Sequence, residues 1–233
     1  MSWTEHPHPD ADAAQAALAG ALVDACRAAI AERGRAFLAL AGGRTPLPAY
    51  RLAAAADLDW ARVLAVPTDE RCVPHDHPAS NLRALQEAFG AAAPGWLALV
   101  PEDGDAARAA AHARAVLATQ RQPFDAVVLG MGADAHVASL FPGADGLAEA
   151  LDPAGDQDAA RIDPQPPPPE APFPRITLTA ARLLRARSWQ LLAIGDDKRR
   201  ALQAADAARD PRRHPVAAFL HAPGIHLHVH WAP

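Results

Sequence analysis

Cysteine is nearly missing from this 233-residue chain: Cys26 and Cys72 are the only two, too few for a disulfide framework or a zinc-type spacing. Basic runs are missing as well. The net charge is −5, which argues against nucleic acid and anionic membranes as partners. An anionic substrate would have to be attracted locally, by helix N-termini and a few Arg or Lys side chains. No apolar run reads as long enough to cross a bilayer, and the polar, acidic N-terminus has no apolar core of the signal-peptide kind. The expectation is a soluble cytoplasmic protein, monomeric or a small homo-oligomer. Serine is scarce too: none of Ser2, Ser80, Ser139 and Ser188 lies in G-x-S-x-G, so Ser139 reads as a helix-turn hydroxyl rather than a nucleophile. Alanine is what abounds. Half the residues are hydrophobic, and the length suits one large α/β domain over residues 1–233.

The rest of the chain is arranged around residues 124–143, Phe-Asp-Ala-Val-Val-Leu-Gly-Met-Gly-Ala-Asp-Ala-His-Val-Ala-Ser-Leu-Phe-Pro-Gly. The apolar run at 126–129 has the pattern of a strand buried on both faces. Gly130 and Gly132 end it, where the backbone must turn sharply or approach something closely. Asp134 and His136 follow at a spacing of two, which sends both side chains to the same side just past the carboxyl end of the strand. Open α/β sheets bind their ligands at that edge. A carboxylate able to orient an imidazole, beside exposed backbone N–H groups, is a general-base unit.

Elsewhere the hydrophobic period alternates between helix and strand. Leu18, Leu22, Cys26 and Ile30 recur every four residues along a helix at 10–33, which Gly34 ends. A strand at 37–40 runs into Gly42-Gly43-Arg44-Thr45-Pro46, and Pro46 suits the first turn of a helix at 46–55. Glycines, a hydroxyl and free N–H groups ahead of a helix form either an anion cradle or an ordinary strand-to-helix turn. A strand at 62–68 ends in Asp69-Glu70-Arg71, which is either a solvated turn or a means of aiming Asp69 and Arg71 into the same crevice. Ser80 or Asn81 caps a helix to Phe89, 96–100 is a short strand, and 104–120 a further helix. Residues 145–174 read as poor formers of regular structure. Their four prolines at 166–169 suggest a polyproline stretch in a surface loop at about 163–174 rather than a linker. Strands return at 175–178, 189–194 and 225–231, with helices from Thr179 through Leu184 and from Gly195-Asp196-Asp197-Lys198 to about 205. Such alternation makes a parallel sheet covered on both faces.

Gly130-Met-Gly132-Ala-Asp-Ala135 also fits the loose dinucleotide pattern G-x-G-x-x-[GA]. Phe141-Pro142-Gly143 cuts the following helix short, and no strand with a terminal acid follows about twenty residues on, so no nicotinamide site is expected. His75 and His77, or His226, His228 and His230 along the last strand, lack a clear carboxylate or cysteine partner. They read as half-exposed faces, and no metal is expected. One constellation remains: the cradle at 42–45, acid and base groups at 69–71 and 134–136, and the cations Arg175 and Lys198 near later strand ends. It can hold a phosphate at one end of a small molecule while His136 works at the other.

Four segments in this order resemble the 6-phosphogluconolactonases. They are Gly42-Gly43-Arg44-Thr45-Pro46, Thr68-Asp69-Glu70-Arg71-Cys72-Val73-Pro74 through Ser80-Asn81, the run from Leu129 to Gly143, and Arg175-Ile176-Thr177-Leu178-Thr179. Gly195 with Lys198 fits the family's later glycine–lysine pattern, and the likeness runs from about residue 10 to the C-terminus. The glucosamine-6-phosphate deaminases share the fold and much of the site. They carry a glutamate in Asn-Glu-Pro where this chain has Leu140-Phe141-Pro142, which favours the lactonase. The resemblance implies a Rossmann-like three-layer α/β/α sandwich with a mostly parallel sheet, no cofactor, and hydrolysis of 6-phospho-D-glucono-1,5-lactone in the pentose phosphate pathway. It implies His136 as general base, Asp134 beside it and Asp69 in support. Gly43, Arg44, Thr45, Arg71, Arg175 and Lys198 would take the phosphate, and amides near Gly130 to Gly132 the oxyanion, at about 3 kcal/mol per donor.

Three departures stand out. Ala135 replaces the family's usual glycine, at a cost of roughly 1 kcal/mol if its φ is positive. Val137 replaces a threonine, and the C-terminal His-Leu-His-Val-His-Trp-Ala-Pro lacks the acid often found there. Two alternatives accompany the lactonase reading: an amino-sugar-phosphate deaminase or isomerase, and a non-catalytic sugar-phosphate-binding protein that kept the cradle and lost the chemistry.

Overall fold

Strands without a polar face must be covered by helices on both sides, because no surface of such a sheet can face water. The computed structural model, which describes residues 3–166 and 171–233, bears this out. In chain order the elements are β1 (Trp3–Pro7), α1 (Ala11–Arg33), β2 (Ala36–Leu40), α2 (Leu47–Ala54), β3 (Val63–Pro67), β4 (Asp69–Arg71), α3 (Asn81–Phe89), β5 (Gly95–Trp96) and α4 (Ala106–Ala118). Then follow β6 (Ala126–Gly130), α5 (Leu147–Leu151), β7 (Ala159–Ile162), β8 (Arg175–Leu178), α6 (Ala180–Leu183), β9 (Trp189–Ile194), α7 (Asp196–Ala208), α8 (Ala217–Leu220) and β10 (Leu227–Ala232).

Seven strands pair in the order β1-β10-β9-β6-β2-β3-β5, every neighbour parallel. Period-two alternation divides the side chains between two cores. Phe37, Ala39, Val127 and Leu129 point into one, with Ala113 and Leu117 of α4. Leu38, Leu40, Ala126 and Val128 point into the other, with Leu18 and Leu22 of α1 and Tyr50 of α2. The result is the expected three-layer sandwich. Asp10 caps α1 through the Ala13 amide at 2.8 Å, and Gly34 ends it in the left-handed region with its N–H on the Ile30 carbonyl.

From β2 the chain moves outward through β3 to β5. It then returns to the other side of β2 with β6 and continues through β9 to β10. The order therefore reverses between β2 and β6. Loops leaving the carboxyl ends of those two strands diverge and leave a crevice, and both glycine-rich turns lie there.

Several expectations need correction. Asp69-Glu70-Arg71 is not a turn but β4, the edge of a separate antiparallel sheet of order β4-β8-β7. Residues 145–174 are not structureless, since α5 and β7 lie within them. The strand at 96–100 is only β5, while β1 and α8 carried too short a pattern to be read. By length and composition α1 is apolar enough to cross a bilayer, contrary to expectation, because alanine raises its hydropathy. It lies against the sheet, with Leu18, Leu22 and Cys26 fully buried. The polyproline stretch falls, beyond Pro166, outside the described residues.

Candidate active site

The crevice holds a cavity of about 190 Å³. Gly43, Arg44, Thr45, Asp69, Arg71, Gly130, Gly132, His136, Arg175 and Lys198 all line it. Of the residues singled out from sequence, Asp134 alone does not, and it stands directly behind His136.

Asp134 Oδ1 lies 2.6 Å from His136 Nδ1 and accepts from the His136 amide at 3.2 Å. Burial pushes the Asp134 carboxyl upward. The hydrogen bond and charge of His136 outweigh it, so the pKa lies below the ordinary carboxylate value. An ionised carboxylate only accepts, so Nδ1 carries the hydrogen and Nε2 is left as the basic nitrogen. The imidazole keeps 28% of its side-chain surface exposed, and the Phe141 ring packs beside it at 4.3 Å. A Cβ on Gly132 would fall 2.3 Å from the imidazole and 2.6 Å from Asp134 Oδ1, so this position must be glycine for the pair to lie back against the turn. Ala135 has φ +64°, the conformation in which alanine is strained by roughly 1 kcal/mol. The strain does not separate the pair, because the Ala135 carbonyl is pinned by the Val216 amide at 3.0 Å.

The Gly132 amide corrects one expectation. It donates to the His136 carbonyl at 3.0 Å, so it is not a free donor for an oxyanion in this conformation. Its part is room for the side chains.

The first glycine turn is made differently. Gly43 takes φ +85°, and Pro46 leads into α2 at Leu47 with no side chain capping its N-terminus among the described residues. The Thr45 carbonyl accepts from Gln15, and Arg44 is exposed at the rim. Behind this turn stands Asn81, which sequence reading treated only as a cap. A Cβ on Gly42 would fall 2.2 Å from its side chain. Asn81 Nδ2 donates to the Asp69 carbonyl at 2.8 Å, and its Oδ1 accepts from Arg71 Nη1. Glu70, also passed over, is 1% exposed and accepts from the amides of Arg71, Asn81 and Leu82 and from the Ser80 hydroxyl. Burial raises its pKa, opposed by those amides. Its position ahead of α3 is the signal that could have revealed this anchoring: a carboxylate placed to accept from first-turn amides.

Besides Arg44 at the rim, three cations line the cavity. The antiparallel register sets Arg71 opposite Arg175. Arg71 Nη1 also donates to the Ala79 carbonyl at 2.9 Å, while its Nε is buried without a partner among the described residues. Arg175 is 4% exposed and donates to the carbonyls of Ala171 and Phe173, with its guanidinium 5.5 Å from the centre of the Phe141 ring. Burial lowers its pKa, with Asp69 opposing, yet an arginine stays protonated. Burial lowers Lys198 as well, and Asp197 works against that shift. Asp69 does not reach His136. It is 7% exposed and accepts from the Ser139 hydroxyl, which makes Ser139 a buried support rather than the helix-turn hydroxyl expected.

Comparison with known proteins agrees with this geometry. The model of the glucosamine-6-phosphate isomerases/6-phosphogluconolactonase family matches residues 9–231. A 6-phosphogluconolactonase of Mesorhizobium japonicum is 41% identical, over 100% of this chain and 96% of its own length. One from Pseudomonas aeruginosa is 39% identical over 93% and 89%. Among solved structures, a 6-phosphogluconolactonase from Shewanella baltica superposes with a TM-score of 0.91 at 30% identity, covering 99% of this chain and 97% of that one. A monomeric glucosamine-6-phosphate deaminase, 18% identical with a TM-score of 0.78 over 100% and 97%, shares the fold.

Proposed function

The chain belongs to the glucosamine-6-phosphate isomerase/6-phosphogluconolactonase family, and from that premise we propose that it hydrolyses 6-phospho-D-glucono-1,5-lactone to 6-phosphogluconate. The observation that carries this reading is the 2.6 Å contact between Asp134 and His136, at the edge of a cavity whose far wall is the uncapped glycine turn with Arg71, Arg175 and Lys198.

His136 Nε2 takes a proton from water as the water oxygen attacks the lactone carbonyl. Asp134 holds the Nδ1 hydrogen and steadies the imidazolium that forms. When the tetrahedral intermediate collapses, the C1–O5 bond breaks and His136 returns the proton to the leaving ring oxygen. The phosphate stays gripped throughout by the amides at 43–45 and by the three cations, and the unpartnered Arg71 Nε is a donor suited to it. That remote grip fixes the carbonyl against the imidazole, an arrangement that supplies much of the barrier lowering in a reaction with little other machinery. Asp69 acts by holding Ser139 through its carboxylate and Asn81 through its carbonyl rather than by touching the reacting atoms.

The test is acid release from the phosphorylated lactone, followed with the spontaneous rate subtracted. Hydrolysis well above background is expected. A rate equal to background, with tight binding of 6-phosphogluconate, would establish the non-catalytic alternative instead.

A further inference from the structure

Five histidines outside the cavity gather at one edge of the large sheet. His6 and His8 come from β1 and the residue just past it, His228 and His230 from β10, and His226 from just before β10. Parallel pairing sets His6 opposite His230. The rings stack in series, His6 on His228 at 5.3 Å and on His230 at 5.5 Å, and His8 on His230 at 5.5 Å. His6 Nε2 lies 3.0 Å from His228 Nδ1, and His8 Nε2 lies 3.3 Å from His230 Nδ1.

The innermost ring is oriented from behind. Gln190 Nε2 donates to the Ser188 hydroxyl at 2.9 Å, which turns Gln190 Oε1 toward His230 Nε2, also at 2.9 Å. An amide oxygen only accepts, so His230 Nε2 carries the hydrogen and Nδ1 presents a bare lone pair to His8. One ring nitrogen held by a carbonyl and the other left free is how proteins prepare an imidazole to ligate a metal.

We infer that the β1–β10 edge is a binding site for a divalent late transition-metal ion, with His230 Nδ1 and His8 Nε2 as its protein ligands and water completing the coordination. Metal–imidazole bonds of about 2.0–2.1 Å put adjacent ligand nitrogens about 2.9–3.4 Å apart, for right-angle through tetrahedral geometry. The 3.3 Å separation of His8 Nε2 and His230 Nδ1 lies in that range, so the two nitrogens share an ion once their rings turn from each other toward it. Binding displaces the hydrogen on His8 Nε2, which moves through solvent to His8 Nδ1, so both ligands remain neutral imidazoles. Among the described residues no three His, Cys, Asp or Glu side chains meet at one point, which makes the site bidentate. Two imidazoles without thiolate or carboxylate suit Cu²⁺, Ni²⁺ or Zn²⁺ and not Mg²⁺ or Ca²⁺. The sequence expectation of no metal weighed the β10 histidines without the imidazoles of His6 and His8 that β1 sets beside them.

The test is titration of the full-length chain, without an affinity tag, with Cu²⁺ followed by electron paramagnetic resonance. The expected result is one equivalent bound at micromolar Cu²⁺ with hyperfine structure from two imidazole nitrogens. His136→Ala leaves that signal unchanged. The double variant His8→Gln/His230→Gln, its folding checked by an unaltered lactonase rate, loses the two-nitrogen pattern and at least tenfold in affinity. Gln190→Leu keeps both ligands and weakens binding about tenfold. Wild type without the signal, or a double variant that keeps it, overturns the proposal. Should the double variant not fold, unchanged Cu²⁺ affinity in Gln190→Leu overturns it equally.

Discussion

Two glycine turns face each other across the point where the strand order reverses, and they are built on opposite plans. The turn at 42–45 runs into α2, whose N-terminus has no side-chain cap among the described residues. The turn after β6 directs its donors inward. The amides of Gly132, Ala135 and Leu140 bond to carbonyls within the turn, that of His136 bonds to Asp134, and that of Ser139 bonds to Thr177. On the proposed reading one turn takes the anion and the other is a platform for one side chain. Glycine after a strand therefore does not by itself announce an anion site. What differs is whether an uncapped helix follows, or a knot of short bonds that ties up most of the donors the turn would offer.

Substitutions can break this division at either turn. Replacing His136 by Ala removes the base, and the largest effect is expected there: kcat lower by about a thousandfold with KM little changed, in a steady-state lactonase assay. Gly132→Ala comes next. The added methyl must displace the imidazole, and a misplacement of about 1 Å lowers kcat on the order of a hundredfold while circular dichroism stays native. Arg71→Ala acts on the other side of the cavity. Losing a charge-assisted bond of about 1.5–3 kcal/mol raises KM roughly 10- to 100-fold, and an equal fall in kcat would show that grip and chemistry are not separate. Ala135→Gly has the smallest effect. Relief of the φ +64° alanine stabilises the fold by up to about 1 kcal/mol in urea unfolding, and no gain would mean that the turn holds alanine without strain.

Much of this was legible in the chain because strong local signals and tertiary demand agreed. Residues 126–129 are apolar because β6 is central, and the dyad two residues apart stands where sheet topology puts ligands. Ser80, Thr179 and Gly34 mark helix ends through their own hydrogen bonds or backbone conformation. What stayed hidden depends on distant partners. Asp69, Glu70 and Arg71 read either as a solvated turn or as a means of aiming Asp69 and Arg71 into the crevice, and the strand itself stayed hidden, since nothing in a charged triplet foretells pairing with Arg175–Leu178 more than a hundred residues later. Asn81 looked like a cap because its contacts with Asp69, Arg71 and Gly42 exist only once β4 is placed. The histidines of β10 looked like a half-exposed face for the same reason, their partners lying at the other end of the chain.

Calorimetric titration with 6-phosphogluconate of wild type, His136→Ala and Arg71→Ala tests the separation of grip from chemistry most directly. The account predicts that His136→Ala binds within about twofold of wild type, while Arg71→Ala binds at least tenfold more weakly. Affinity lost with His136 and kept without Arg71 would contradict it.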